Sequence, residues 1–134
     1  MTALDTNVLI YSCDKGDARR QARALEIIST TRDAVLLWQV ACEFVAASRK
    51  LGVRGFTAAH AWNRLAEFLG LFPLLLPTPR VFDRARLLHT EHGWSFWDAM
   101  IVAACLEAGV TRVYSEDLPG HVVPGKLEIV NPFA

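Results

Sequence analysis

Asp5 in LDTNVLIY, Glu43 in WQVACEFVAAS, Asp98 in SFWDAMIVAAC and Asp117 in RVYSEDL are acids set in largely apolar sequence and spread along the chain. Carboxylates gathered in such surroundings repel one another and resist leaving water. A pair about 5 Å apart repels by roughly 3 kcal/mol at an effective dielectric near 20. A fold that collects several of them therefore implies a cation to offset the repulsion. Oxygen donors, with no histidine or cysteine at ligand spacing, select Mg²⁺ or Mn²⁺ over zinc. The chemistry expected of such a centre is metal-dependent cleavage of a phosphodiester.

Each acid, taken singly, also has an ordinary structural explanation. Asp5 ends a strand-like run and precedes a helix, where an aspartate caps the free N–H groups. Ser95 and Asp98 form S-x-x-D, the pattern of a capping box. Asp117 stands just before Leu-Pro-Gly, in ordinary turn sequence. Glu43 is the hardest to dismiss, because it flanks the apolar stripe of a mostly hydrophobic helix. Their joint placement favours chemistry. In open parallel sheets the ligand crevice lies beyond the carboxyl ends of the strands, where the strand order reverses, and Asp5, Asp98 and Asp117 all fall near such ends.

The elements that must position these acids alternate between strand and helix. Residues 2–5 read as a short buried strand and 6–13 as the helix after it. Asp14 and Asp17 offer caps for a second helix, with Ala18, Ala22, Leu25 and Ile28 as its apolar stripe and Arg19, Arg20 and Arg23 on the wet side. Residues 34–38 form a second strand. Val40, Phe44, Ala47 and Leu51 then repeat at helical spacing, with Gly52 as the stop. Thr57 caps a fourth helix through Trp62, Leu65, Phe68 and Leu69. A third strand, 72–77, is hemmed in by prolines. Helices over 79–92 and 96–108 follow, the latter ended by Gly109. A fourth strand spans 112–115, and KLEIVNP closes with a fifth. Continuous apolar strands alternating with helices predict an α/β domain: a three-layer α/β/α arrangement over a mostly parallel five-stranded sheet, with 1–134 as one domain.

Bulk properties narrow the function. Acidic and basic residues number 14 each, so the formal charge is zero. That argues against indiscriminate nucleic-acid binding, which draws its affinity from excess positive charge. Hydrophobic residues make up 52% of the chain, enough apolar surface to expect a partner interface. No apolar run approaches the roughly 20 residues that span a bilayer, and no signal peptide opens the chain, so a cytoplasmic protein without membrane contact is expected. Cys13, Cys42 and Cys105 are expected to be small buried hydrophobes. His60, His89 and His92 fall within or at the ends of helices and His121 in a loop, none beside a serine or cysteine in a triad-like pattern. Neither a G-x-G-x-x-G nor a Walker loop is present.

With LDTNVLIY, the Glu43 helix, SFWDAMIVAACLEAG and RVYSEDLPG…LEIVNPF in order along essentially the whole chain, the sequence resembles PIN-domain proteins, specifically VapC-type toxins of bacterial toxin–antitoxin pairs. The resemblance implies a parallel five-stranded sheet, Mg²⁺- or Mn²⁺-dependent endoribonuclease activity, a homodimer, and inhibition by a VapB-type antitoxin. The family's acidic positions match Asp5, Glu43, Asp98 and Asp117, and its small hydroxyl residue matches Ser115. On this reading Asp5, Asp98 and Asp117 hold metal, Glu43 binds a second ion or positions water, and Ser115 orients a carboxylate or a water from behind. Arg49, Lys50 and Arg54 are expected to guide RNA phosphates, although a solvated helix end explains them equally well. Trp62, Phe68 and Leu69 are expected to line an antitoxin groove, with a core role as the alternative.

Two other readings are weaker. A haloacid-dehalogenase domain wants a second aspartate two residues after the first, where this chain has Asn7. A receiver domain wants its acceptor after a middle strand and a late lysine, and neither is found. The remaining alternative is a non-catalytic module of the same fold that acts with the antitoxin, which would usually have lost one of the acids.

Overall fold

The computed structural model describes residues 1–119 and 125–134; His121 and most of the PGHVVPGK loop lie outside them. Five strands, β1 (Thr2–Leu4), β2 (Ala34–Leu37), β3 (Leu74–Leu75), β4 (Arg112–Tyr114) and β5 (Glu128–Val130), form one sheet in the order β3-β2-β1-β4-β5. Every pairing is parallel. β1 and β2 are buried along their length, as strands covered on both faces must be. The edge strands β3 and β5 are only partly buried.

Among the described residues six α-helices cover the sheet: α1 (Thr6–Cys13), α2 (Ala18–Thr30), α3 (Trp38–Ala47), α4 (Ala58–Leu71), α5 (Arg80–Glu91) and α6 (Phe96–Ala108). The core runs through Leu4, Leu9, Leu36, Phe44, Val102 and Val113. Phe68 joins it edge-on against Phe44, with ring centroids 5.3 Å apart. α6 begins at Ser95, whose hydroxyl accepts from the Asp98 N–H at 3.3 Å. It ends at Gly109, which takes the left-handed φ of +77° that a side chain resists. That cap fixes Asp98 in the first turn of the helix.

Several sequence expectations change in the fold. The buried face of α2 is Ala24 and Ile27, while Ala18, Ala22 and Leu25 are exposed. Its arginines are not simply wet. Arg20 reaches Glu116 at 2.9 Å, and Arg19 and Arg23 donate to the carbonyls of Phe133 and Pro132. The helix has turned because the C-terminal tail packs on it, and the periodicity within α2 alone holds no trace of that neighbour. α3 stops at Ala47 and gives way to a 3₁₀ segment, Ser48–Arg54, so Gly52 lies inside it and Gly55, at φ +83°, is the true stop. The third strand shrinks from the expected 72–77 to Leu74–Leu75. Among the cysteines only Cys105 is buried; Cys13 is half-buried and Cys42 exposed. Phe68 is core, whereas Trp62 and Leu69 of the expected groove are exposed.

Candidate active site

β1 is flanked by β2 on one side and β4 on the other, so the strand order reverses between β1 and β4. This is where an open parallel sheet leaves a crevice. The register pairs Leu4 with Tyr114, which puts Asp5 and Ser115 side by side immediately beyond the strand ends. The Asp5 N–H donates to the Tyr114 carbonyl at 3.0 Å and the Ser115 N–H to the Val130 carbonyl at 2.9 Å, so both backbones are pinned.

Asp5 is the buried acid of the group, 5% exposed. One carboxylate oxygen accepts from the Thr6 N–H at 2.8 Å, the other from the Ser115 hydroxyl at 2.6 Å. Capping and site membership are therefore not alternatives for this residue; the helix start is what holds the carboxylate still. Burial, with the charges of Glu43 and Asp117 adding to it, lifts its pKa to about 6 despite the two hydrogen bonds, which pull the other way. Cys105 lies close enough to feel the Asp5 charge, and burial first and that charge second push its thiol up to about 12. It stays protonated and inert.

Glu43 comes from the middle of α3 and is held at both oxygens. The Thr6 hydroxyl donates to Oε2 at 2.9 Å and the Gln39 amide to Oε1 at 2.6 Å. Gln39 also donates to the Trp97 carbonyl at 3.2 Å, which ties the Glu43 face of α3 to the first turn of α6. Asp98 is the next residue in that turn. Its carboxylate has no hydrogen-bond partner among the described residues. It stands at the rim, one bridge removed from the others.

RVYSEDL presents two adjacent acids, and only the fold separates their roles. Glu116 is engaged by the Tyr11 hydroxyl at 2.8 Å and Arg20 at 2.9 Å, with the guanidinium lying over the Tyr11 ring. Asp117 is exposed and accepts from the Asn7 amide at 3.2 Å. Asn7 in turn accepts from the Glu116 N–H. The Ser115 hydroxyl accepts from the N–H groups of Asp117 and Leu118 at 3.1 and 3.0 Å while it donates to Asp5. One hydroxyl thus sets both the loop and the buried carboxylate.

Thr6, Asn7 and Gln39 were not among the expected site residues. Gln39 was detectable, since it lies one turn before Glu43 on the same helical face. Thr6 and Asn7 follow Asp5 directly, but nothing local says that they reach Glu43 and Asp117. Among the described residues, none of the expected phosphate guides bonds to these acids. Arg49 and Lys50 are exposed on the 3₁₀ segment, and Arg54 pairs with Asp14 at 3.3 Å.

The PIN-domain family model matches residues 2–118. The chain belongs to the PIN-domain family. No curated protein sequence matches it. VapC20 of Mycobacterium tuberculosis, a toxin that cleaves the sarcin-ricin loop, superposes with a TM-score of 0.72 at 20% identity, over 91% of this chain and 97% of that one. A chain of a toxin–antitoxin complex from Klebsiella pneumoniae gives 0.67 at 21% identity, over 98% of each. These likenesses establish the five-stranded PIN fold.

A hard divalent cation suits the donors of this PIN domain. They are carboxylate oxygens, and the raised pKa of Asp5 reports first its burial and then the nearby Glu43 and Asp117 charges, both of which a cation would offset. Among the described residues no three acidic, histidine or cysteine side chains already surround a single point. Removing the Ser115 hydroxyl should loosen the arrangement. Ser115→Ala strands two loop N–H groups and frees Asp5, so it should lower stability by about 1–2 kcal/mol. It should also weaken Mn²⁺ affinity by about 10- to 100-fold, measured by calorimetric titration. Unchanged affinity would show that Asp5 needs no such support.

Proposed function

We propose that this chain, as one PIN domain over 1–134, is a VapC-type endoribonuclease toxin that depends on Mg²⁺ or Mn²⁺ and is neutralised by a VapB-type antitoxin. The observation that carries the reading is the register of β1 against β4. It sets a buried Asp5 beside Ser115 at the switch point, with Glu43 and Asp117 near enough to raise its pKa. Asp5, Glu43, Asp98 and Asp117 are the residues that would hold the metal. A bound divalent ion supplies a water acidified toward neutrality and a counter-charge for the phosphate.

The chain's own groups supply position. Ser115 and Thr6 hold Asp5 from two sides. Thr6 and Gln39 fix both oxygens of Glu43, leaving its remaining lone pairs directed by a rigid helix to orient an attacking water. Asn7 steadies Asp117 on its exposed turn. Asp98, with its carboxylate unengaged, is the acid readiest to meet an incoming ion.

Exposed apolar side chains support a partner. Trp62 and Leu69 on α4 are 61% and 43% exposed, and an amphipathic antitoxin helix is the partner we assign to them. A homodimer is the second assembly proposed. No helix among the described residues is long and apolar enough to cross a membrane.

The decisive test is incubation of the purified chain with mixed RNA, with Mg²⁺ or Mn²⁺ and with chelator, followed by end-mapping. Cleavage in metal that ceases in chelator is expected. Intact RNA in both would leave a non-catalytic module as the better description. Any contribution of Arg49, Lys50 and Arg54 to phosphate contact is read from salt dependence. An Arg49→Ala, Arg54→Ala double variant should lower the slope of log affinity against log salt by about 1–2 if both touch RNA. An unchanged slope would assign them to the solvated surface.

A further inference from the structure

Glu116 stands between Ser115 and Asp117, and the metal-binding reading of the crevice makes no use of it. Its two oxygens are committed to the neighbouring helices. The Tyr11 hydroxyl of α1 donates to Oε1 at 2.8 Å, and Arg20 Nε of α2 donates to Oε2 at 2.9 Å. Arg20 also holds Asp17 at 3.1 Å, and its guanidinium lies 5.3 Å from the centre of the Tyr11 ring. Phe133, itself buried, meets the same ring edge-on with centroids 5.0 Å apart. Arg19 and Arg23 fasten that tail through the carbonyls of Phe133 and Pro132, at 3.3 and 3.0 Å. Tyr11 is thus set by packing on Phe133 and Arg20 as well as by its hydroxyl.

Asn7 and Tyr11 are four residues apart on α1, so they share one face of it. That face grips consecutive residues of the turn after β4. Tyr11 takes the Glu116 side chain, while Asn7 accepts from the Glu116 N–H at 3.2 Å and donates to Asp117 at 3.2 Å. The same helix begins at Asp5, its N-cap. One short helix therefore carries the buried acid at its start and the grip on the exposed acid along its side. An exposed aspartate on a turn has many arrangements, and a cation meets it favourably only when these are already few.

We propose that Tyr11 and Arg20, backed by Phe133, are positioning residues of the metal centre: by fastening Glu116 they hold the turn that carries Asp117 against α1, where it can share a cation with Asp5. The proposal rests on the metal-binding part of the nuclease reading and adds what keeps the exposed ligand in place. The same grip withdraws Glu116 as a competing ligand, so that one acid of the adjacent pair serves the ion and the other serves the fold.

The test uses the full chain and Mn²⁺ itself. Tyr11→Phe removes one hydroxyl and keeps the ring, and Arg20→Lys keeps the charge but loses the fork that bridges Glu116 and Asp17. Neither alters the net charge, so long-range electrostatics cannot mimic the result. Urea unfolding in chelator establishes that both fold. The Arg20 side chain is 32% exposed, and Arg20→Lys decides alone if Tyr11→Phe does not fold. Calorimetric titration should show Mn²⁺ affinity lower by about 10-fold in each, the smaller end of what contacts supporting a metal ligand carry. RNA cleavage should fall at limiting Mn²⁺ and recover as Mn²⁺ is raised. In an Asp117→Asn background, Tyr11→Phe should cost little further affinity, because both changes act on one ligand. Unchanged affinity in the folded variants, or an equal loss with and without Asp117, overturns the proposal. Tighter binding also overturns it, by showing that a released Glu116 joins the ion. A wild type that binds Mn²⁺ with this dependence but never cuts RNA upholds the grip and sinks the nuclease reading. One that binds no Mn²⁺ overturns both.

Discussion

Asp98→Asn and Asp5→Asn are expected to fold and to lose RNA cleavage by about 10²–10³-fold or more, the scale on which groups facing developing charge act. The two losses have different physical origins. Asp98 is half-buried at the rim with an unengaged carboxylate, so its amide should leave the rest of the crevice intact and remove one charge from it. Asp5 is the buried anchor, and its amide would still accept from the Thr6 N–H while removing the charge at the bottom of the site. Gel assays of the purified variants in Mn²⁺, beside circular dichroism to establish folding, give the answer. Near-normal cleavage by a folded Asp98→Asn or Asp5→Asn would mean that catalysis does not run through these acids.

The second large effect is on stability, and its sign runs against the usual outcome of changing a buried polar residue. Burial, then the Glu43 and Asp117 charges, hold the Asp5 pKa at about 6 against 3.8 for the free group. A carboxyl with a raised folded pKa favours the folded state when protonated. That advantage is complete below about pH 4 and is lost as the pH climbs through about 6. Above that range the ionised carboxylate is a standing penalty of up to about 3 kcal/mol. Asp5→Asn removes the penalty and weakens one hydrogen bond, for a net gain of about 2 kcal/mol near pH 7.5 in chelator. The gain should vanish near pH 4. Urea unfolding at both pH values measures it, and added Mn²⁺ should stabilise only the wild type appreciably, by mass action. A variant less stable than wild type near pH 7.5 in chelator would show that the hydrogen bonds to Asp5, rather than its desolvation, dominate.

How much of this was legible in the chain depends on the range of the interaction. Strand and helix types came through well. Ser95, Thr57 and Gly109 mark their helix ends through bonds to residues three or four positions away, and a linear reading sees that far. The limits of α3 did not, because Gly52 was a plausible stop and a 3₁₀ segment carried the chain on to Gly55. The buried face of α2 was misread for a different reason. Arg19, Arg20 and Arg23 look like a solvent face until the tail and Glu116, about a hundred residues on, pack against them.

The same division holds at the site. Sequence alone determined which residue types were present: acids in apolar settings, Asp5, Asp98 and Asp117 next to a strand end or a helix start and Glu43 within a helix, with Ser115 beside the last pair. Only the tertiary structure decided that β1 and β4 lie in register so that Ser115 meets Asp5. It also decided that Glu116 is taken by Arg20 and Tyr11 while Asp117 is not, and that Thr6 and Gln39 clamp Glu43. Those contacts join residues brought together by strand order and helix packing. Side-chain chemistry is written locally, whereas the partner of each side chain is set by a sheet that assembles from strands more than a hundred residues apart.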